Sequence, residues 1–140
     1  MKAALVDVNV LLALAWPNHQ HHAAAHDWFG RESRHGWATC ALTELGFIRL
    51  SSNPAYTPAA VTPAQAAGLL RRLVAHRAHR YWGPLPEPLP TMFTLALGHQ
   101  QVHDAYLVRL AERRRGRVVT FDRRLAAHAT LGESVHIIDA

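Results

Sequence analysis

"ALVDVNVLLAL", residues 4–14, decides how the rest of the chain is read. It is an apolar run that belongs in a core, yet Asp7 stands in its middle and Asn9 follows two positions later. An aspartate is almost never fully buried unless something compensates its charge. The stretch divides into two elements. Residues 3–8, AALVDV, read as a buried strand, and VLLALAW after Asn9 reads as a short helix. Asp7 then lies at the C-terminal end of the first strand, the edge of an open parallel sheet where ligand crevices form.

Working outward, the same alternation repeats. HHAAAHDWFGRES (21–33) reads as a helix, GWATC (36–40) as a strand, and LTELGFIRLSS (42–52) as a helix with Leu45, Phe47 and Ile48 at helical spacing. The prolines of NPAYTPAAVTP make it a loop, which ends in a helix start: Thr62 as N-cap, Pro63 at the first helical position and Gln65 three residues on. That helix carries AQAAGLLRRLVAHRA, and HRYWG (79–83) is a third strand. GPLPEPLP (83–90) is a connector, too short to separate one domain from another. Beyond it TMFTLAL is expected to be helical, VHDAYLVRLAERRR is a strong amphipathic helix, GRVVTF a strand, DRRLAAHA a helix and SVHIID a final strand. Alternating strands and helices predict an α/β fold with a mostly parallel central sheet of about five strands flanked by helices. No internal repeat or low-complexity segment interrupts it.

The chain's 140 residues and 15.6 kDa fit a single domain, residues 1–140. No apolar run approaches the roughly 20 residues of a membrane-spanning helix. Residues 1–14 read as fold and not as a signal peptide. Cys40 is the sole cysteine, so no intrachain disulfide forms and a cytoplasmic location is expected. The net charge is +5, and Lys2 is the only lysine among 15 basic residues. An arginine-rich basic chain suits a polyanionic partner through bidentate phosphate contacts, although a compositional bias toward Ala and Arg gives the same totals.

Four acids stand in places a solvated face does not explain. Asp7 and Asp122 each follow a strand on the same rim. Asp104 opens its helix one turn before Leu107, Val108 and Ala111, the stripe that faces the core, while Arg109, Glu112 and Arg113 fall on the opposite, wet face. Glu44 repeats the pattern with Phe47 and Ile48. Each has a structural alternative: a favourable helix dipole for Asp104 and Glu44, an N-cap for Asp122, a buried arginine pair for Asp7. One site serves all four. Clustered carboxylates repel, and their natural counterion is a hard divalent cation, Mg²⁺ or Mn²⁺. An acidic metal site in a basic protein suggests phosphodiester chemistry, in which the metal polarises the phosphate and makes hydroxide available for in-line attack.

On these residues the sequence resembles the PIN-domain ribonucleases, in particular the VapC-type toxins of bacterial toxin–antitoxin pairs. LVDVNVLLAL looks like the family's first motif, ALTELGFIRL like the second, and VHDAYLVRLAERRRGRVVTFDRRL like the third and fourth together. The resemblance spans essentially the whole chain. It implies a PIN-like domain, a Mg²⁺- or Mn²⁺-dependent endoribonuclease, a homodimer and a small cognate antitoxin covering the site. It assigns Asp7, Glu44 and Asp104 as the main metal-binding acids and Asp122 as a fourth that helps hold metal or water. Asn9, Thr43 and Thr120 become the polar groups that orient carboxylates or water. Residues 54–90 carry no matching motif.

Weaker signals have ordinary explanations. His22 and His26 sit four apart, a Zn²⁺ spacing, but nothing completes a site and a wet helical face is the preferred reading. His103 reads as capping or packing, and Trp16, Trp28, Trp37, Trp82 and Cys40 as packing. RRRGR (113–117) reads as a solvated helix end. Three rival functions remain. A haloacid-dehalogenase-like phosphatase needs a late lysine, and none follows Lys2. A non-catalytic RNA-binding module has no reason to keep four acids, and an RNA-processing nuclease shares the fold and the chemistry.

Overall fold

The computed structural model describes residues 2–140. Short runs, mostly apolar or β-branched except in the exposed edge strand β3, form five strands: β1 (Ala4–Val6), β2 (Trp37–Thr39), β3 (His79–Tyr81), β4 (Arg117–Thr120) and β5 (Val135–Ile137). They make one parallel sheet in the order β3-β2-β1-β4-β5. Side chains alternate across a strand, and the core divides accordingly. Ala4, Val6, Trp37 and Val119 face one apolar cluster, whereas Leu5, Ala38 and Val118 face the other. Helices α1 (Val8–Ala15), α2 (His22–Glu32), α3 (Ala41–Ser51) and α4 (Pro63–Val74) supply the first cluster through Leu11, Trp28, Phe47 and Leu70. Helix α5 (Val102–Arg113) supplies the second through Leu107, Val108, Leu110 and Ala111.

Because every strand is parallel, every C-terminal end reaches the same edge. β1 hands over to α1 at Asp7, β2 to α3 at Cys40, and β4 ends at Thr120. Helices α1 and α3 lie close together at this edge: a Cβ added to Gly46 would stand 2.7 Å from Val8 Cγ2. Only a residue without a side chain lets α3 approach so near. Gly36, at φ +99°, turns the chain into β2 in a conformation that favours glycine.

Local chemistry ends the helices as expected in some places. Thr62 accepts the Gln65 N–H at 3.1 Å and the Gln65 side chain accepts the Thr62 N–H at 3.0 Å, so the expected capping box forms. The histidine segment has a role that sequence pattern does not reveal. His22 Nδ1 lies 2.7 Å from the Ala13 carbonyl and His26 Nε2 lies 2.8 Å from that of Leu14, so both rings donate to the last turn of α1. They satisfy carbonyls that a helix end leaves without partners. Trp28, Trp37, Trp82 and Cys40 are buried, in keeping with packing.

Three expectations need correction. The strand at residues 3–8 is shorter, Ala4–Val6, because Val8 already begins α1. The helices expected at TMFTLAL and DRRLAAHA are 3-10 turns, at Pro90–Phe93 and Arg123–His128; both segments are short and follow a proline or a capping aspartate, and neither completes α-helical turns. Arg109 and Glu112 do not lie on a wet face. Their side chains are 13% and 7% exposed and ion-paired, covered by the segment that carries His128 and Thr130. Burial opposes ionisation of Glu112, but hydrogen bonds from Thr130, Ser134 and Leu131 bring its pKa down to about 2.

Candidate active site

Asp7 caps α1, its Oδ1 accepting the Val8 N–H at 2.8 Å, while Thr120 Oγ1 donates to its Oδ2 at 2.7 Å. Thr120 also accepts from Asn9 Nδ2 at 3.2 Å and from the Asp122 N–H at 3.0 Å. The ends of β1 and β4 are thereby tied through one hydroxyl whose donor and acceptor capacity is filled. Among the described residues no cation pairs with Asp7. Burial, with added repulsion from Asp104 and Asp122, raises its pKa to about 6 against the hydrogen bonds from Thr120 and Val8. Asp104, half-buried in the first turn of α5, is also pushed upward, first by burial and then by Asp122, with Arg124 and His103 opposing. Asp104 lines the same cleft as Asp7, and Thr120 ties Asp7 to the start of the Asp122 turn, so the three acids share one rim.

Asp122 differs from its neighbours because it has a cation. Arg124 Nε lies 3.0 Å from Oδ1 and 3.2 Å from Oδ2, and its Nη2 lies 2.8 Å from Oδ2. These bonds hold the Asp122 carboxyl below its usual range. Asp122 also caps the following turn by accepting the Arg124 N–H at 2.9 Å, the structural role that its sequence position suggested.

Glu44 stands apart. It is as buried as Asp7, each being 9% exposed, but its Oε1 is ion-paired with Arg71 of α4. Its Oε2 accepts from Thr39 Oγ1 at 2.6 Å, and Thr39 lies 2.7 Å from His79 Nε2. With the hydroxyl proton directed to Glu44, His79 must donate to Thr39. Among the described residues no three Asp, Glu, His or Cys side chains are gathered closely enough to hold an ion. The expected four-acid cage is therefore not assembled here: Glu44 and Asp122 are turned onto arginines.

Thr43 needs a second correction. Its hydroxyl accepts the Cys40 N–H at 3.1 Å and lies 3.1 Å from the Cys40 carbonyl, closing the start of α3. It does not orient Glu44, because neighbouring residues on a helix point to different faces. Thr39 takes that role. Arg71, Arg124, Thr39 and His79 were all missed from sequence. The one available signal was that Thr39, like Thr120, ends a strand just ahead of a motif acid.

Asp7 and Asp104 line a cleft of about 750 Å³ with apolar walls that include Leu42, Leu45 and Leu107, and with Arg49 and His103 at its edge. Arg71 and Arg124, on the other two acids, are exposed. The donor set suits a hard divalent cation: carboxylate oxygens, two of the acids without a counterion, and no thiolate or free imidazole pair.

The fold and these residues define a PIN-type α/β domain. The family model of the PIN domain matches residues 4–131. Over 135 residues the chain is 44% identical to ribonuclease VapC39 of Mycobacterium tuberculosis, covering 92% of this chain and 95% of that protein. Over 119 residues it is 46% identical to ribonuclease VapC38 of the same organism, covering 85% and 84%. The crystal structure of PAE2754 from Pyrobaculum aerophilum superposes with a TM-score of 0.61 at 25% identity, covering 96% of this chain and 83% of that one. The chain belongs to the PIN-domain family, in its VapC group.

Proposed function

We propose that the protein is a Mg²⁺- or Mn²⁺-dependent endoribonuclease, the toxin of a VapBC-type pair. The observation that carries the reading is Asp7: a buried carboxylate with no cation among the described residues, fixed at the sheet edge beside Asp104 and Asp122. Burying a charge unpaired is unfavourable unless a ligand compensates it. The relatives' name, ribonuclease VapC, supports the same chemistry.

Asp7, Asp104 and Asp122, with Glu44 at the adjoining corner, would hold the ion. A divalent cation there supplies polarisation of the scissile phosphate and a source of hydroxide near neutral pH. The chain's own residues do the remaining work. Thr120 fixes the Asp7 carboxylate through Oδ2, and Asn9 fixes Thr120, so the acid is oriented before substrate arrives. The cleft walls exclude water from one side of the bound strand, and the arginines around it neutralise phosphates.

The toxin reading extends to partners. An antitoxin and a second copy of the chain each require apolar surface, and Leu45, Leu89, Leu95, Leu97 and Val102 are exposed. A cytoplasmic location fits an RNA target, and no helix of the described residues is long and apolar enough to cross a membrane. The test is cleavage of total cellular RNA by purified protein with Mg²⁺ or Mn²⁺, with EDTA, and with Asp104→Asn. Discrete fragments that disappear with chelator and with the substitution are expected. Intact RNA in every lane, from folded protein shown to bind metal, would leave a very narrow substrate or the RNA-binding alternative.

A further inference from the structure

Two of the four acids carry arginines that differ from the most buried ion pair among the described residues, Arg109–Glu112. Arg109 and Glu112 are clamped, both side chains covered and Arg109 also donating to the His128 carbonyl and to Thr130. Arg71 and Arg124, by contrast, are 59% and 86% exposed, while the carboxylates they hold are 11% and 22% exposed. Each arginine makes side-chain contacts with its acid, and among the described residues no other side chain binds either guanidinium. The acid end of each pair is fixed in the protein and the cation end is in water. Exposed pairs of this kind are weak and readily exchanged.

The proposed metal site also favours an exchange. No three potential ligands are gathered among the described residues. Asp122 has both oxygens engaged by Arg124, and Glu44 has one engaged by Arg71 and the other by Thr39. For either acid to offer both oxygens to a cation together with Asp7 and Asp104, its guanidinium must leave.

We infer that Arg71 and Arg124 are exchangeable counterions: each neutralises its acid until a divalent cation takes that carboxylate, and then binds a phosphate of the RNA strand. The inference rests on the metal-dependent reading above. The exchange keeps the site near charge balance in both states, because the incoming ion replaces the guanidinium charge at the acids and the arginine meets the phosphate charge that enters with RNA. Arg71 and Arg124 are thus substrate-binding residues in the loaded protein and placeholders in the free one.

The experiment measures Mn²⁺ affinity calorimetrically on the full chain for wild type, Arg71→Ala, Arg124→Ala and Arg49→Ala. Arg49 lines the same cleft and has no ion-pair partner among the described residues, so it reports the effect of removing a charge alone. Arg71→Ala and Arg124→Ala are each expected to tighten Mn²⁺ binding by about threefold, with Arg49→Ala changing it by less than about half that factor. A 2′-O-methyl RNA oligonucleotide, followed by fluorescence anisotropy, is expected to lose about threefold in affinity to the same two variants when Mn²⁺ is present and little when EDTA replaces it. Circular dichroism melts establish that the variants fold, and Arg71→Lys serves as the milder second variant with the same direction of effect. Mn²⁺ binding that is unchanged or weakened in Arg71→Ala and Arg124→Ala overturns the exchange and makes the arginines fixed partners. Absence of Mn²⁺ binding by wild type overturns the functional reading itself.

Discussion

Two corners of the same sheet edge carry the same device with opposite electrostatics. At one, Thr120 at the end of β4 donates to Asp7; at the other, Thr39 at the end of β2 donates to Glu44. The acids are equally buried. Among the described residues Asp7 has no cation, and its pKa rises to about 6, whereas Glu44 has Arg71. The difference teaches that burial alone does not define a metal-seeking acid. On the proposed reading the acid that seeks metal most strongly is the one buried without a counterion, since a bound cation would offset the free energy of ionising Asp7 in a covered position.

The largest test of that contrast is catalytic. Asp7→Asn is expected to lower RNA cleavage by on the order of 1000-fold, and Glu44→Gln by about 10- to 100-fold, as initial rates on one fluorescent RNA at saturating Mg²⁺. Equal losses would erase the distinction between the corners.

Next comes stability without metal. Asp7 moves from an ordinary 3.8 to about 6 on folding, so the folded protein binds its proton more tightly than the unfolded chain. The associated stability is complete below about pH 4 and is lost as pH rises through about 6, amounting to about 3 kcal/mol. In EDTA at about pH 8, Asp7→Asn should therefore be more stable than wild type by up to that amount, with the gain gone near pH 4. Asparagine keeps the cap on α1. Glu44→Gln should instead lose about 1 kcal/mol, because it weakens charge-assisted bonds to Arg71 and Thr39. Urea unfolding of the three proteins across pH decides it, and a destabilised Asp7→Asn at high pH would falsify the account of Asp7.

Smaller effects sharpen the comparison. Thr120→Val should weaken Mg²⁺ binding by about tenfold and Thr39→Val by less than about threefold, measured by calorimetry, since only the first hydroxyl orients an acid that lacks a cation. Gly46→Ala should cost about 1 kcal/mol in a thermal melt by forcing α3 away from Val8 and so moving the corners apart.

Much of this was legible from the chain alone. Buried runs such as ALV, WAT and RVVT declared their strands, Thr62-Pro63-Gln65 declared a helix start, and the resemblance to PIN-domain motifs picked out Asp7, Glu44, Asp104 and Asp122. The misses share a cause. Helices at residues 91–97 and 122–129 were inferred from windows too short to be distinguished from 3-10 turns. Arg109 and Glu112 were assigned to solvent because periodicity describes one helix face and not the segment that later folds over it. The resemblance assigns the orienting role to Thr43, which adjoins Glu44 in sequence, but adjacency on a helix is divergence in space, and Thr39 holds the carboxylate.

By itself, then, the sequence determined the order of strands and helices and the sheet edge to which the acids belong, because these follow from local periodicity and from the parallel connection of short strands. For Asp7 and Glu44, tertiary structure alone decided which acid has a counterion, whereas Asp122 finds Arg124 two positions on. Thr120 reaches Asp7 across 113 positions and Arg71 reaches Glu44 across 27, and such pairings depend on where side chains come to rest after packing, at distances of a few ångströms that no local pattern encodes.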